Sequence, residues 1–206
     1  QTGWGRDIEL RVPVHDPILW NSSAVSERLH DALNFVTGDR WRIDFVSRKL
    51  PAERPRQPTL AMPDGSLVII PYSDGLDSRA VAGIMEKEKG HRLLRVRLGS
   101  KQLGGGNENG ARLPFALVPY RVRFGKMRSV ESSGRSRGFK FAMLSAIAAF
   151  LSQAEEIVVP ESGQGALGPT LVPVGQAYDD YRNHPAFTHR MERLVEALFN
   201  HQVRYT

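Results

Sequence analysis

The stretch from Leu67 to Gly99 limits the folding choices of this chain more than any other, because it reads as strand, polar turn, helix and strand in unbroken succession. Leu67-Val68-Ile69-Ile70 is a short apolar run rich in β-branched side chains, the pattern of a strand buried on both faces. Pro71 and Tyr72 close it, and Ser73-Asp74-Gly75-Leu76-Asp77-Ser78 follows at once. Leu76, Ala80, Val81, Ile84 and Met85 then recur at helical spacing until Gly90 stops the helix. Leu93 to Leu98 resumes as a strand, so the expected fold is α/β with a parallel sheet. A tight turn between strand and helix leaves several backbone N–H groups pointing out of the helix start. The helix dipole adds positive potential there, and a phosphate is the natural guest.

Upstream, Ile8 to Val14 alternates apolar and polar residues as a half-buried strand, with Pro13 interrupting it. Asn21-Ser22-Ser23 offers N-caps for a helix carrying Val25, Leu29, Leu33 and Val36 on one face, and Gly38 stops it. Trp41 to Val46 alternates again. These elements form a small β-α-β appendage over residues 1–50, and a proline-rich connector over 51–66 joins it to a main domain over 67–206.

Downstream, Ser100 to Arg112 is rich in Gly and Asn, a surface loop whose Gly104-Gly105-Gly106 lacks the strand-to-helix context of a phosphate cradle. Phe115 to Phe124 alternates as a strand. Phe139 to Leu151 is apolar nearly all round and is expected to be a buried helix. Arg135 and Arg137 stand at its mouth, either facing an anionic phosphate or capping a solvated loop. Ile157-Val158-Val159 reads as the next core strand, and Glu161-Ser162-Gly163-Gln164-Gly165-Ala166-Leu167-Gly168 follows it. The G-x-G-x-x-G spacing there is not a dinucleotide fingerprint, since Pro169 and Pro173 interrupt the helix that would have to begin. Tyr178, Tyr181 and His184 either wall a pocket for a planar base or simply pack, ahead of a helix bearing Phe187, Met191, Leu194, Val195 and Leu198.

Composition removes whole classes of chemistry. With no Cys in 206 residues, disulfides, thiolate metal sites, persulfide transfer and a Cys nucleophile are excluded. The six His residues show no metal-ligand spacing. Gln1 to Gly5 is polar with no signal-peptide pattern, and the longest apolar stretch is shorter than the roughly 20 residues a bilayer demands, so a cytoplasmic protein with no membrane partner is expected. A net charge of +6 permits a polyanionic partner, but no dense Lys/Arg block or basic-aromatic interleaving marks a nucleic-acid surface.

Ser73-Asp74-Gly75-Leu76-Asp77-Ser78 resembles the Ser-Gly-Gly-x-Asp-Ser signature of the PP-loop ATP pyrophosphatases, matching five of six positions and departing at Asp74. The later succession from about Leu67 to Leu198 is similar to 7-cyano-7-deazaguanine synthase and its relatives: an Arg loop before a buried helix, then a strand ending in a Glu-Ser-Gly-Gln-Gly-Ala-Leu-Gly-Pro loop. The resemblance implies a PP-loop domain of the adenine nucleotide α-hydrolase-like, Rossmann-like type, with ATP and Mg²⁺ as cofactors. Ser73, Asp74, Gly75, Leu76, Asp77 and Ser78 would hold the nucleotide, with Asp77 orienting the loop or the metal. Arg135 and Arg137 would contact phosphate or acyl-adenylate. Glu161, Gly163, Gln164 and Gly165 would bind a deazapurine, Glu161 accepting from a guanine-like edge. The activity implied is ATP-dependent C–N ligation, in which a 7-deazaguanine carboxylate is adenylated with loss of pyrophosphate and then attacked by an amine.

The family's housekeeping members carry a four-Cys zinc site that this chain lacks. That absence and the N-terminal appendage resemble the synthase-like proteins of anti-phage defence operons, where the N-terminal amine of a partner protein is the nucleophile. The alternatives are a tRNA-modifying PP-loop ligase, a non-catalytic nucleotide-binding module, and a scaffold subunit with an inactive loop.

Overall fold

Two parallel sheets organise the chain in a computed structural model that describes residues 5–49, 68–73, 75–98, 115–118, 136–161 and 181–206. In chain order the elements are β1 (Asp7–Val14), α1 (Pro17–Asn21), α2 (Ser23–Thr37), β2 (Arg40–Ser47), β3 (Val68–Tyr72), α3 (Leu76–Lys89), β4 (Leu93–Leu98) and β5 (Phe115–Val118). Then come α4 (Arg137–Ser152), β6 (Glu156–Ile157), α5 (Pro185–Phe199) and β7 (Arg204–Tyr205). The fold is α/β. Its described residues fall into two units, each discontinuous in sequence. The first gathers 5–49, 136–139 and 181–202; the second gathers 68–73, 75–98, 115–118, 140–161 and 203–206.

In the first unit β1 and β2 pair in parallel from Asp7↔Arg40 to Val14↔Ser47, with α2 as the crossover. Gly38 ends α2 at φ 69°, a left-handed cap that costs a glycine little. One sheet face carries a ladder of cross-strand ion pairs, Asp7–Arg40 at 2.6 Å, Glu9–Arg42 at 3.0 Å and Arg11–Asp44 at 3.4 Å. The other face meets the helices: Trp20 stacks on Phe45 at 5.1 Å between centroids, and Trp41 Nε1 donates to the buried Thr37 hydroxyl at 2.9 Å. The core lies between α2 and α5, where Val25, Leu29, Ala32, Leu33 and Val36 face Phe187, Met191, Leu194 and Val195. Asp39 is fully buried and holds Arg6 through its backbone N–H at 3.0 Å and its guanidinium at 2.7 Å, which fixes the entry to β1.

The second unit is a five-stranded sheet in the order β5-β4-β3-β6-β7, parallel throughout. Val68, Ile70 and Leu93 pack with Ala82 of α3 and Val158 on one face. Ile69, Leu94, Val96 and Ile157 are buried on the other, as expected for strands read as apolar on both faces. Three expectations need correction. β3 runs through Pro71 and Tyr72 instead of closing before them, and both residues pair with β4. The helix read as buried all round buries only its small residues, Gly138, Ser145, Ala146, Ala148, Ala149 and Ser152. Phe141, Met143, Leu144, Ile147 and Phe150 are half-buried and Leu151 is 53% exposed, because the closest approach is made where side chains are smallest. The strand expected over 157–159 is a ladder of Glu156–Ile157 alone, and β7 beside it was not expected. Tyr205 of β7 donates its hydroxyl to the Ala142 carbonyl at 2.8 Å.

Candidate functional site

Strand order decides where the second unit can admit a ligand. From β3 the chain proceeds through β4 to β5 on one side, then returns to place β6 and β7 on the other. The β3/β6 boundary is therefore the topological switch point, and ligands of open parallel sheets enter at the carboxyl ends of the strands flanking it. Here the sequence also cuts the ladder. Val158 N–H donates to the Ile69 carbonyl at 2.8 Å, the last rung between these strands. The next two rungs would need N–H groups from Pro71 and Pro160, and proline has none. Beyond that point β6 leans on β7 instead, Val159 N–H donating to the Thr206 carbonyl at 2.7 Å.

The expected phosphate loop lies on one lip of this interruption. Ser73 follows β3, Gly75 is the N-cap of α3 at φ −70°, and Leu76, Asp77 and Ser78 form the first helical turn. Their three N–H groups have no acceptor among the described residues; the first helical bond of this turn is Arg79 N–H to the Gly75 carbonyl at 3.2 Å. Ser73 and Ser78 hydroxyls lie 2.7 Å apart, and Ser73 Oγ also accepts the Gly75 N–H at 3.2 Å. Each hydroxyl has one proton to give, so whichever of the two donates to the other, one O–H is left over for a ligand. Ser78 is 6% exposed, whereas Ser73, Leu76 and Asp77 are exposed. Asp77 sits in the first turn, where the dipole favours a carboxylate. It also places a negative charge beside any phosphate, which a divalent cation would neutralise.

Glu161 stands on the opposite lip. It lies four residues beyond Ile157, as Ser73 lies four beyond the paired Ile69, each past the end of the ladder that joins their strands. Its carboxylate is exposed, and its N–H is tied to the Val159 carbonyl at 2.9 Å in a tight turn. Arg137 is exposed at the first position of α4 and belongs with the first unit. Asp74, Arg135, Gly163, Gln164 and Gly165 lie outside the described residues.

Two of the tail aromatics pack. Tyr181 lies 5.0 Å and His184 6.1 Å from the Phe35 ring, and His184 Nδ1 caps α5 by accepting the Ala186 N–H. Sequence reasoning missed one pair at the site's own strand end: Arg95 of β4 is 8% exposed, with its guanidinium 5.7 Å from the Tyr72 ring centroid. The signal was present in the alternation Leu93, Arg95, Arg97, which puts Arg95 on the same face as Leu93. Among the described residues no group of three or more His, Asp or Glu is placed to hold a metal, and no helix is long and apolar enough to cross a membrane. Comparison with known protein families finds no matching family model, and no curated protein matches the chain.

Proposed function

We propose that the second unit is a PP-loop nucleotide site that activates a carboxylate with ATP, releasing pyrophosphate, and passes the acyl group to an amine. One observation carries this reading: an α-helix N-terminus whose first three N–H groups have no acceptor among the described residues follows β3 at the switch point, where two prolines end the β3–β6 ladder. The Leu76, Asp77 and Ser78 amides and the spare seryl proton suit phosphate oxygens, and Asp77 suits a Mg²⁺ that neutralises charge as pyrophosphate departs. Glu161, exposed just past β6, suits the paired N–H donors of a guanine-like ring, and so a 7-deazaguanine carboxylate as the activated acid. The acceptor is ammonia or the N-terminal amine of a partner protein. Catalysis rests on positioning and electrostatics, with no general base required for an amine delivered uncharged.

The test is pyrophosphate release from ATP and Mg²⁺ with 7-carboxy-7-deazaguanine, with and without an ammonium salt. Carboxylate-dependent release is the expected result, and Ser78→Ala is expected to lower it at least about tenfold, the scale of one lost donor to developing charge. No release together with no ATP-dependent thermal shift overturns the proposal. A second reading draws on the Gly75 amide, which Ser73 Oγ already engages, leaving the loop one donor fewer. It is a nucleotide-binding module without turnover, and it predicts the thermal shift without pyrophosphate.

A further inference from the structure

The first unit presents a strand edge that matches itself when reversed, and we propose that two copies of the chain join there, β1 against β1, into a four-stranded sheet. The backbone sets which edge is available. Arg40 N–H donates to the Arg6 carbonyl and Arg48 N–H to the Val14 carbonyl, at 2.7 and 2.9 Å, so even-numbered residues of β1 bond to β2. The N–H and carbonyl groups of Asp7, Glu9 and Arg11 therefore face away from β2, and β1 pairs with no other strand among the described residues. The far edge of β2 is different. Its outward Trp41 N–H is taken by Asn34 Oδ1 at 3.2 Å and its outward Phe45 carbonyl by Asn21 Nδ2 at 2.8 Å. Helix side chains cover that edge, while no described residue covers the outer edge of β1, and an open eight-residue edge is a template for another strand.

Charge selects the occupant and the register. In an antiparallel pairing whose two-fold axis passes at Leu10, Glu9 faces Arg11 of the second copy and Arg11 faces its Glu9, both as hydrogen-bonded pairs. The row across all four strands then reads Arg42, Glu9, Arg11, Asp44, alternating in sign and continuing the ion-pair ladder each copy already holds. Moving the axis to Glu9 sets two glutamates opposite each other between two Asp7–Arg11 pairs, moving it to Ile8 sets Asp7 against Glu9, and moving it to Arg11 sets two arginines opposite each other, so the Leu10 axis is the register in which every facing pair of charges is opposite in sign. At the axis the two Leu10 side chains meet as a non-hydrogen-bonded pair. Leu10 is 43% exposed in the single chain. Ile8 then faces Val12 of the second copy. Pro13, which has no N–H to give, limits the pairing at its end.

The test uses the full chain in sedimentation equilibrium at up to about 100 µM, a range that detects the micromolar association typical of small interfaces. The wild type is expected to dimerise. Glu9→Arg and Arg11→Glu are each expected to weaken the dimer at least about tenfold, because symmetry counts every reversed pair twice. An equimolar mixture of the two variants is expected to associate again, since each altered side chain then faces an opposite charge on the other copy. As a readout that does not depend on those variants folding, Leu10→Cys is expected to give a covalent dimer on mild oxidation. The chain has no other Cys, and facing residues of a non-hydrogen-bonded pair stand about 4.5 Å apart, within disulfide reach. Ile18→Cys, at a position 85% exposed on α1, is the control expected to stay monomeric. A monomeric wild type, a dimer indifferent to both charge reversals, a mixture no tighter than either variant alone, or cross-linking no faster at Leu10 than at Ile18 overturns the proposal.

Discussion

Two glycine-to-alanine substitutions of identical chemistry are expected to move stability in opposite directions. Gly83 lies in the middle of α3, exposed, and an added Cβ there meets no atom within 4 Å. Alanine relieves the conformational entropy that glycine loses on entering a helix, so Gly83→Ala should stabilise by about 0.5–1 kcal/mol. Gly138 is the second residue of α4, and its added Cβ would collide with Cβ of Arg182, lie 3.0 Å from the Arg182 Cα, and 3.6 Å from Val36 Cγ2. The obstacle is backbone and the root of a side chain, so no rotamer change clears it. Overpacking of this kind costs about 1–3 kcal/mol, and the helix-propensity gain offsets less than about 1 kcal/mol. Gly138→Ala should therefore destabilise by about 1–2 kcal/mol. Urea titration followed by far-UV circular dichroism measures both, with the midpoint shift read at constant slope. If the two units unfold separately, the gain should be confined to one transition and the loss to the other. A Gly138→Ala protein as stable as the wild type would refute the claim that residue 182 closes on the start of α4.

Two further outcomes follow from local chemistry. The Arg40 guanidinium, through its hydrogen bond and then its charge, holds Asp7 below the ordinary carboxylate value of 3.8. A depressed carboxylate contributes stability above its unfolded pKa and loses it as pH falls through the folded value, so Asp7→Asn should lower stability slightly at neutral pH and converge with the wild type in acid, flattening the acid limb. An unchanged acid limb counts against the pair. Pro160→Ala supplies the missing N–H opposite the Pro71 carbonyl and should add one rung to the β3–β6 ladder. The unfolded chain also gains freedom, which cancels most of the rung in free energy, so slowed amide exchange at position 160 is the sensitive readout and fast exchange there refutes the ladder argument.

Sequence reading succeeded where the determining interactions are local. Gly38 and Gly90 stop α2 and α3 because a reversed or left-handed turn follows each, and the alternation of Trp41 to Val46 marks β2 because neighbours on one face share an environment. The Ser73–Ser78 turn was legible for the same reason: strand, turn and helix are contiguous. What failed was non-local. Arg204–Tyr205 has no periodicity to read over two residues; it is a strand because β6 offers it Glu155 and Ile157 carbonyls, to which Arg204 and Thr206 N–H groups donate at 2.9 Å. The half-buried side of α4 likewise depends on which neighbour comes close, and its alanines admit a closer approach than its phenylalanines.

The candidate site shows both kinds of information meeting. Its loop is written in six consecutive residues, yet a helix N-terminus binds nothing unless space opens in front of it. Which strand flanks that helix start depends on β6 returning to the side of β3 opposite β4, an outcome of topology that no window of sequence contains. Pro71 and Pro160 are nonetheless visible in the sequence, each at the carboxyl end of its apolar run. Singly, each reads as a strand terminator. Placed by the register on facing strands, they remove consecutive rungs of one ladder, so the pairing of β3 with β6 stops just short of the turn that opens α3. Asking which donors a proposed strand pair would lose to proline, and where, locates the end of that ladder from sequence once the pairing of the two strands is known.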